Sequence, residues 1–224
     1  VRLNPFSGPQ RGSVEWTVAI PTFRVQNPEP GVMDQITLAG SHVRLEPLEP
    51  RHVDVLCAVA FEPRIWEFSR TLLQVREDVE RYVARALAGR DAGTAMPFVT
   101  IAADTEQVVG STRFENMDLA ERRVEIGWSW LNPRWWRTPI NTEAKYLMMR
   151  HAFSAWGCVR VEFRVHVANE RSLASIQAIG AVKEGVLRRR LLYRDGTYRD
   201  LVYLSILEDE WPAVRALLER KLAT

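Results

Sequence analysis

The hydrophobic and polar residues alternate with two different periods along the chain, so the sequence predicts both strands and helices. A period of two is typical of strands, and it appears in residues 42–48, 122–131 and 159–167. Apolar residues spaced three and four apart are typical of helices, and they appear in residues 50–61, 75–87, 141–156, 169–179 and 208–222. Two further pairs of strand-like runs, 97–114 and 187–206, are joined by short polar turns and predict hairpins.

The order of these elements predicts an α/β fold with a mixed, mostly antiparallel central sheet flanked by helices. Strands joined by short turns pair antiparallel, whereas a parallel pair needs a longer crossover such as a helix. Here a strand and two helices precede a run of closely spaced strands, and a strand–helix–strand–helix segment precedes the last hairpin. Gly89, Gly157 and Gly180 are expected to end three of the helices. A doubly wound parallel sheet is therefore not the expected fold.

The first 32 residues differ from the rest, since prolines interrupt them and they show no helical period. A regular pattern begins after Met33. We therefore expect residues 1–32 to be an N-terminal arm or extension and residues 33–224 to form one domain. The alternative is that residues 13–20, SVEWTVAI, form a strand that pairs with an exposed sheet edge.

Composition narrows the classes of function. The chain has 224 residues, of which 46% are hydrophobic, which suits one globular domain with a sizeable core. A net charge of +2 gives no reason by itself to expect nucleic acid, and no run reaches the ~20 apolar residues of a membrane helix. The histidines and the two cysteines lack the spacing of metal ligands. Free thiols and a cytoplasmic location are the simplest expectation.

Residues 133–153 place two tryptophans and two arginines directly before a predicted helix. Asn141 is a candidate N-cap for this helix. The free N–H groups of a first turn, together with the helix dipole, suit a phosphate, and Arg134 and Arg137 could add charge-assisted contacts. The alternative is a surface loop in which Trp135 and Trp136 cover an edge of the core.

Three motifs in this part of the chain resemble those of one enzyme superfamily. They are VEIGW at 124–128, NTEAK at 141–145 and an N-x-x-S segment that ends in AIGAVKEG, over 169–185. Their order and spacing resemble the GNAT acyltransferase superfamily, and specifically the branch similar to the RimJ/RimL protein N-terminal acetyltransferases, over residues 36–207. The resemblance implies the GNAT fold and an acetyl-CoA-dependent N-acetyltransferase. The acceptor would be a primary amine, either a protein N-terminus or a small molecule.

The resemblance also implies where acetyl-CoA binds. In that family the pyrophosphate lies against the helix start, in a loop of the form R/Q-x-x-G-x-G/A, which reads RWWRTP at 134–139 here, so both glycines are replaced. The strand from Ile126 to Trp130 would hold the pantetheine arm through its backbone, and Asn169 would hydrogen-bond it. The cofactor-binding residues implied are Trp128, Trp130, Arg134, Arg137, Thr138, Ile140, Asn141 and Asn169.

Two residues are carried over as catalytic. Glu125 matches a glutamate placed near the amine, and it would act as the base directly or through water; the alternative is a strand glutamate paired with Arg122 or Arg113. Glu115 is the second choice of base. Ser172 matches a serine near the CoA sulfur that could protonate the leaving thiolate, and the alternative is an ordinary serine of a first helical turn.

Two other functions remain open from the sequence. The replaced glycines would suit an acyl-CoA-binding module with weak or lost turnover. The arginines of residues 188–194 would suit an RNA- or ribosome-associated protein, although a strand with solvated arginines explains them better, because the other features of nucleic-acid-binding proteins are absent. We expect acetyl-CoA and an amine as partners, no membrane and no nucleic acid, and a homodimer is left open.

Overall fold

The computed structural model describes residues 34–223. The expectations for residues 1–32, including the strand at 13–20, lie outside this range. In the described part of the chain, no helix has both the length and the apolar character needed to cross a membrane.

Residues 34–223 fold into one eight-stranded sheet with helices on both faces. The strands run in the order β1-β2-β3-β4-β5-β6-β8-β7. They are β1 (Leu38–Ala39), β2 (Val43–Pro47), β3 (Met96–Ala102), β4 (Val108–Asp118), β5 (Arg123–Leu131), β6 (Arg160–His166), β7 (Val182–Leu192) and β8 (Tyr198–Leu207). The α-helices are α1 (Val53–Ala60), α2 (Arg76–Asp91), α3 (Ile140–Ser154), α4 (Glu170–Ala178) and α5 (Trp211–Leu222).

The predicted mixed, mostly antiparallel sheet is confirmed. Neighbouring strands pair antiparallel except β5 and β6, which are parallel. The chain between those two strands contains α3, the crossover that a parallel pair requires. This parallel pair lies near the middle of the sheet, and the candidate site described below lies beside it.

Two hydrophobic cores hold the helices on the sheet. The first lies under α3 and α5 and includes Phe98, Phe114 and Phe163. The second lies under α1 and α2 and includes Val99 and Trp130. Adjacent residues such as Phe98 and Val99 enter different cores because successive side chains of a strand point to opposite faces.

The largest errors of the sequence-based boundaries concern α2, α5 and β7. Gly89 does not end α2, which runs to Asp91. A Cβ on Gly89 would lie 3.1 Å from the Cβ of Ala95, so this glycine permits close packing, and the turn comes at Gly93 with a φ of 69°. The helix α5 begins three residues later than predicted and β7 begins five residues earlier.

Glu143 locks the first turn of the sheet to α3. Its carboxylate accepts hydrogen bonds from the backbone N–H groups of Ser41, His42 and Val43 at 2.9, 2.6 and 2.8 Å. A Cβ on Gly40 would lie 2.3 Å from the carboxyl carbon of Glu143, so a larger residue would displace the carboxylate from these three hydrogen bonds. The glutamate of the NTEAK motif is therefore structural, and it fixes α3 against the turn between β1 and β2.

Candidate active site

The strands β5 and β6 separate part-way along their length. They pair only from Arg123–Glu125 to Arg160–Glu162, although β5 continues to Leu131 and β6 to His166. Beyond Glu125, the edge of β5 that faces β6 therefore has no partner strand. An unpaired edge can bind an extended ligand through its backbone groups.

A bulge in β5 lies next to this gap. Ser111 and Arg113 of β4 lie opposite Trp130 and Gly127 of β5, so β5 advances three residues while β4 advances two. Trp128, within the extra stretch, has a φ of 54°, in the left-handed region. A bulge bends its strand and redirects side chains, which is consistent with β5 turning away from β6.

Glu125 lies where the two strands separate, and it is only 7% exposed. Its Oε2 accepts a hydrogen bond from Asn116 Nδ2 at 2.6 Å and lies 2.9 Å from a guanidinium nitrogen of Arg164. Burial raises the pKa of this carboxyl above its ordinary value, while the charge of Arg164 and the Asn116 hydrogen bond act in the opposite direction. Its Oε1 accepts no hydrogen bond from the described residues. One oxygen is therefore held in place, and the other can accept a proton.

The alternative pairing of Glu125 with Arg122 or Arg113 is wrong. Arg122 donates from Nε to the carbonyl oxygen of Gly157 at 2.7 Å, and the Nε of Arg113 lies 2.6 Å from Glu115 Oε2. Glu115, the second choice of base, is directly opposite Glu125 in the β4–β5 ladder. The two carboxylates therefore belong to one site, in which Glu115 lies beside Arg113 of β4 and Glu125 lies beside Arg164 of β6.

The side chains of Trp128 and Trp130 face α1 and α2. Trp130 is buried, donates from Nε1 to Tyr82 Oη at 3.1 Å and packs on Trp66 at a ring distance of 5.3 Å. Trp128 is half-buried and carries Arg113 on its ring. Any contact of these two tryptophans with a pantetheine arm would therefore use their backbone groups.

The loop before α3 retains a glycine-like backbone without glycine. Arg137, at the first replaced glycine, has a φ of 63°. Such a conformation costs a residue other than glycine roughly 1–2 kcal/mol, so packing must hold it in place. Pro139, at the second replaced position, takes helical dihedrals and is the N-cap of α3. The guanidinium groups of Arg134 and Arg137 are exposed beside this turn.

Asn141 is not the N-cap of α3, so that prediction is wrong. The helix begins at Ile140, one residue earlier, after a proline that offers no side-chain cap. Asn141 lies in the first turn, where its Nδ2 donates to Ser175 Oγ of α4 at 3.1 Å and its Oδ1 accepts from Lys145 Nζ. The residue therefore ties the start of α3 to α4.

The start of α3 keeps the free backbone donors expected of an anion site. The Oγ1 of Thr138 donates to the carbonyl oxygen of Trp135 at 2.8 Å, which shapes the turn. Four backbone N–H groups here donate to none of residues 34–223, those of Arg137, Thr138, Ile140 and Asn141. Such donors at a helix N-terminus suit a phosphate.

The two adjacent tryptophans have different surroundings. Trp135 packs against the first core, as the alternative interpretation of this stretch predicted. Trp136 donates from Nε1 to the carbonyl oxygen of Leu131 at 2.9 Å, and the guanidinium of Arg171 lies 3.5 Å from its ring centre. They fix the loop between β5 and α3 to the core and to the start of α4.

Lys145, the last residue of the NTEAK motif, to which the sequence analysis assigned no role, lies in the cleft between α3 and β5. It is 6% exposed, and its ammonium donates to Asn141 Oδ1. Burial lowers the pKa of this ammonium to about 8. The cleft is lined by Thr100, Ser111, Thr112, Ser129, Trp130, Leu131, Asn141, Ala144 and Lys145. The sequence signals were its place in the NTEAK motif and its position between the core residues Ala144 and Leu147.

Asn169 caps α4, the alternative role left open for it. Its Oδ1 accepts a hydrogen bond from the backbone N–H of Ser172 at 3.0 Å. Ser172 is half-buried in the first turn, and its hydroxyl makes no hydrogen bond within the described residues. Through the Asn141–Ser175 contact, the start of α3 is brought against the second turn of α4.

The other residues considered for catalysis, metal binding or RNA binding have surroundings that suit a structural role. His166 packs between Phe68 and Tyr193, with ring distances of 5.6 and 5.5 Å. Both cysteines are free thiols, and no group of side chains in residues 34–223 is arranged to bind a metal. The arginines of 188–190 are exposed on β7. The surroundings of these residues therefore give no reason to assign any of them a catalytic role.

Comparison with known proteins agrees with this geometry. A family model described as the acetyltransferase (GNAT) domain matches residues 42–182. The chain belongs to the GNAT acetyltransferase family. This family includes the RimJ/RimL-like branch, so the resemblance inferred from the motifs is confirmed, and the chain is an N-acetyltransferase.

Relatives and solved structures support the same family. Two relatives come from Bacillus subtilis (strain 168). The chain is 33% identical over 105 residues to the first, the "Uncharacterized N-acetyltransferase YoaA". It is 35% identical over 102 residues to the second, YdaF, which is named as a candidate ribosomal N-acetyltransferase. These alignments cover 47% and 46% of the chain, and 58% and 55% of the relatives. A GCN5-related N-acetyltransferase from Brucella melitensis has a TM-score of 0.78 at 27% identity, covering 88% of this chain and 90% of that chain. The GNAT fold is therefore confirmed.

Proposed function

We propose that this GNAT N-acetyltransferase transfers the acetyl group of acetyl-CoA directly to a primary amine in the gap between β5 and β6. The observation that carries the proposal is the position of Glu125. It lies at the point where the strands separate, with one oxygen held by Asn116 and Arg164 and the other without a described partner. A buried carboxylate with a raised pKa is a stronger base than an exposed one.

Acetyl-CoA, as co-substrate, supplies the acetyl group as an activated thioester. The residues at the start of α3 suit its pyrophosphate, because Arg137 keeps the backbone conformation of the replaced glycine and the nearby N–H groups have no described partner. Arg134 and Arg137 add positive charge, and the buried ammonium of Lys145 lies one turn into the same helix. The pantetheine arm would lie along the unpaired edge of β5.

Transfer requires two proton movements. The attacking amine must lose a proton, and Glu125 Oε1 accepts it directly or through water. The carbon–nitrogen bond forms as the carbon–sulfur bond breaks, and the departing thiolate takes a proton from Ser172 or from water. Asn116 and Arg164 act by holding the carboxylate in place.

The favoured acceptor is a protein N-terminus. Support comes from the likeness to the RimJ/RimL branch and from the relative YdaF, whose name refers to ribosomal N-acetylation. A small-molecule amine is the alternative, since relatives of this type also acetylate small amines.

The test is an assay of CoA release with a panel of N-terminal peptides and small amines, run beside calorimetric titration with acetyl-CoA. We expect binding and acceptor-dependent release of CoA. Binding without release for any amine would favour an acyl-CoA-binding module that has lost turnover. The glycine-like conformation of Arg137 supports cofactor binding by either an enzyme or such a module, so the release of CoA is the observation that separates them.

A further inference from the structure

Three arginines surround the indole ring of Trp128, on the face of the sheet that carries Glu125. The guanidinium carbons of Arg113, Arg85 and Arg70 lie 3.9, 5.1 and 5.5 Å from the ring centre. They come from β4, from α2 and from the loop before α2. Cation–π contacts stabilise each arginine by a modest amount, but they do not neutralise three positive charges.

The arginine cluster (Arg70, Arg85 and Arg113) carries excess positive charge, because the nearby carboxylates neutralise only part of it. Arg113 has Glu115 beside it, whereas Arg70 and Arg85 form no ion pair within residues 34–223. Glu125 is already paired with Arg164. Burial, with the repulsion of Arg85, lowers the pKa of Arg113, whose side chain has little access to water.

Arg113 also has unused hydrogen-bond donors in a buried place. It is 3% exposed; its Nε is buried beside Glu115 without an aligned hydrogen bond, and its terminal guanidinium nitrogens donate to none of the described residues. Buried donors in folded proteins nearly always have a partner, and the planar fork of an arginine matches the two oxygens of a carboxylate or phosphate. The side chain is therefore suited to an oxyanion that enters from the cleft.

The loop that carries Arg70 is held in place from the far edge of the sheet. Arg194, between β7 and β8, donates from one terminal nitrogen to the carbonyl oxygens of Trp66, Ser69 and Thr71 at 3.4, 3.2 and 3.5 Å. Positioning Arg70 before a ligand arrives reduces the ordering cost of binding.

Strand geometry relates the arginine cluster to the base. Arg113 lies opposite Gly127, and Glu115 lies opposite Glu125. Two residues along a strand correspond to about 7 Å, so an anion bound at Arg113 lies about that far along the sheet from Glu125. One small molecule or one N-terminal residue can span this distance with an amine at one end and an anion at the other.

We infer that the acceptor carries an anionic group close to its primary amine, and that Arg70, Arg85 and Arg113 bind this group while the amine faces Glu125. The inference rests on the proposed function, since it assigns the acceptor of the same site. A carboxylate or phosphate meets the chemistry, and it could belong to an acidic first residue of a polypeptide or to a free amino acid.

The test measures kcat/KM of the full chain, at saturating acetyl-CoA, for two pairs of matched acceptors. The peptides Asp-Ala-Ala-amide and Asn-Ala-Ala-amide differ only in a carboxylate against a carboxamide. Alanine and alaninamide, compared per neutral amine, test a free α-carboxylate instead. We expect kcat/KM to favour the anionic member of at least one pair by about 10- to 100-fold, as hydrogen bonds to charged groups imply. Preference in the first pair identifies a side-chain anion, and preference in the second identifies an α-carboxylate.

Arg85→Gln should reduce this preference about tenfold or more, because it removes one of the three cations at an exposed position that folding tolerates. The matched control is Arg81→Gln, which removes the same charge one turn earlier in α2, where Arg81 pairs with Asp78. The preference should persist in that control. Equal rates for both members of each pair, or an unchanged preference in Arg85→Gln, would overturn the inference.

A second measurement separates this inference from the proposed function. Calorimetric titration of the same acceptor pairs, with CoA present, measures acceptor binding without turnover. If no amine releases CoA, the proposed function fails, yet tighter binding of the anionic member that Arg85→Gln abolishes would still support the anion site. Equal binding of both members in each pair would reject the site.

Discussion

Lys145 makes a measurable prediction because its ammonium is buried without a counterion. Its hydrogen-bond partner is the neutral Asn141, and it forms no ion pair with a described residue. Lys145→Met keeps a flexible chain of similar length and removes the charge. Burying an unpaired charge opposes folding, so this substitution should stabilise the protein at neutral pH.

The magnitude follows from the lysine pKa. Its lowering from 10.5 to about 8 in the folded chain corresponds to ~3 kcal/mol, because a tenfold change in a proton-binding constant is about 1.4 kcal/mol. Between these pH values the unfolded chain binds more protons than the folded chain, so stability rises with pH across the window. The penalty is fully present below about pH 8. Loss of the hydrogen bond to Asn141 offsets about 1 kcal/mol, which leaves a gain of ~2 kcal/mol for Lys145→Met at pH 7.

Urea unfolding of the wild type and Lys145→Met from pH 7 to 10.5 checks this prediction. The difference between their free energies of unfolding should shrink as pH rises above about 8. Lys183→Met is the matched control, because Lys183 is exposed on β7, and its difference from the wild type should stay flat. A flat difference for Lys145→Met as well, or a loss of more than ~2 kcal/mol at pH 7, would refute the reasoning.

Three other predictions concern the cofactor site and the fold. Arg134→Ala and Arg137→Ala should each weaken acetyl-CoA binding by ~1–3 kcal/mol in calorimetry, the scale of a charge-assisted hydrogen bond; unchanged affinity in both would move the phosphate elsewhere. Ser172→Ala should slow single-turnover transfer while acetyl-CoA affinity stays near wild type, and equal transfer rates would remove Ser172 as the acid. Gly40→Ala should lower the free energy of unfolding by more than ~2 kcal/mol, because the added Cβ collides with the carboxyl group of Glu143; an unchanged urea midpoint would contradict that contact.

The sequence predicted the local elements because their periods are local properties. The strand over 122–131 and the helix near 141–156 were found within a few residues of their observed bounds. The gap between β5 and β6 was not predictable in this way, because strand pairing depends on contacts between residues far apart in the chain. The family resemblance implied only that the strand from Ile126 to Trp130 holds the pantetheine arm, and the structure shows that the free edge of β5 begins after Glu125.

The buried charges were also beyond the sequence pattern. Glu143 and Lys145 flank Ala144 in a helix and would ordinarily be assigned to its solvent face. Both are buried because α3 is covered on several sides, by the turn at Ser41–Val43 and by the cleft at β5. The partners of Glu125 were mispredicted for the same reason, since Arg164 approaches from a strand that is distant in sequence.

The pH–rate profile of Glu125→Gln tests the central claim, that Glu125 is the base of acetyl transfer. The variant keeps the shape of the side chain but cannot accept the proton, so kcat/KM should fall by ~10²–10⁴-fold at neutral pH. The loss should shrink at high pH, where more of the amine is already neutral, and acetyl-CoA affinity should be unchanged. Glu162→Gln, which alters the glutamate paired opposite Glu125 on β6, is the control and should retain activity. Near wild-type kcat/KM for Glu125→Gln at every pH would contradict the account and transfer the role to Glu115 or to water.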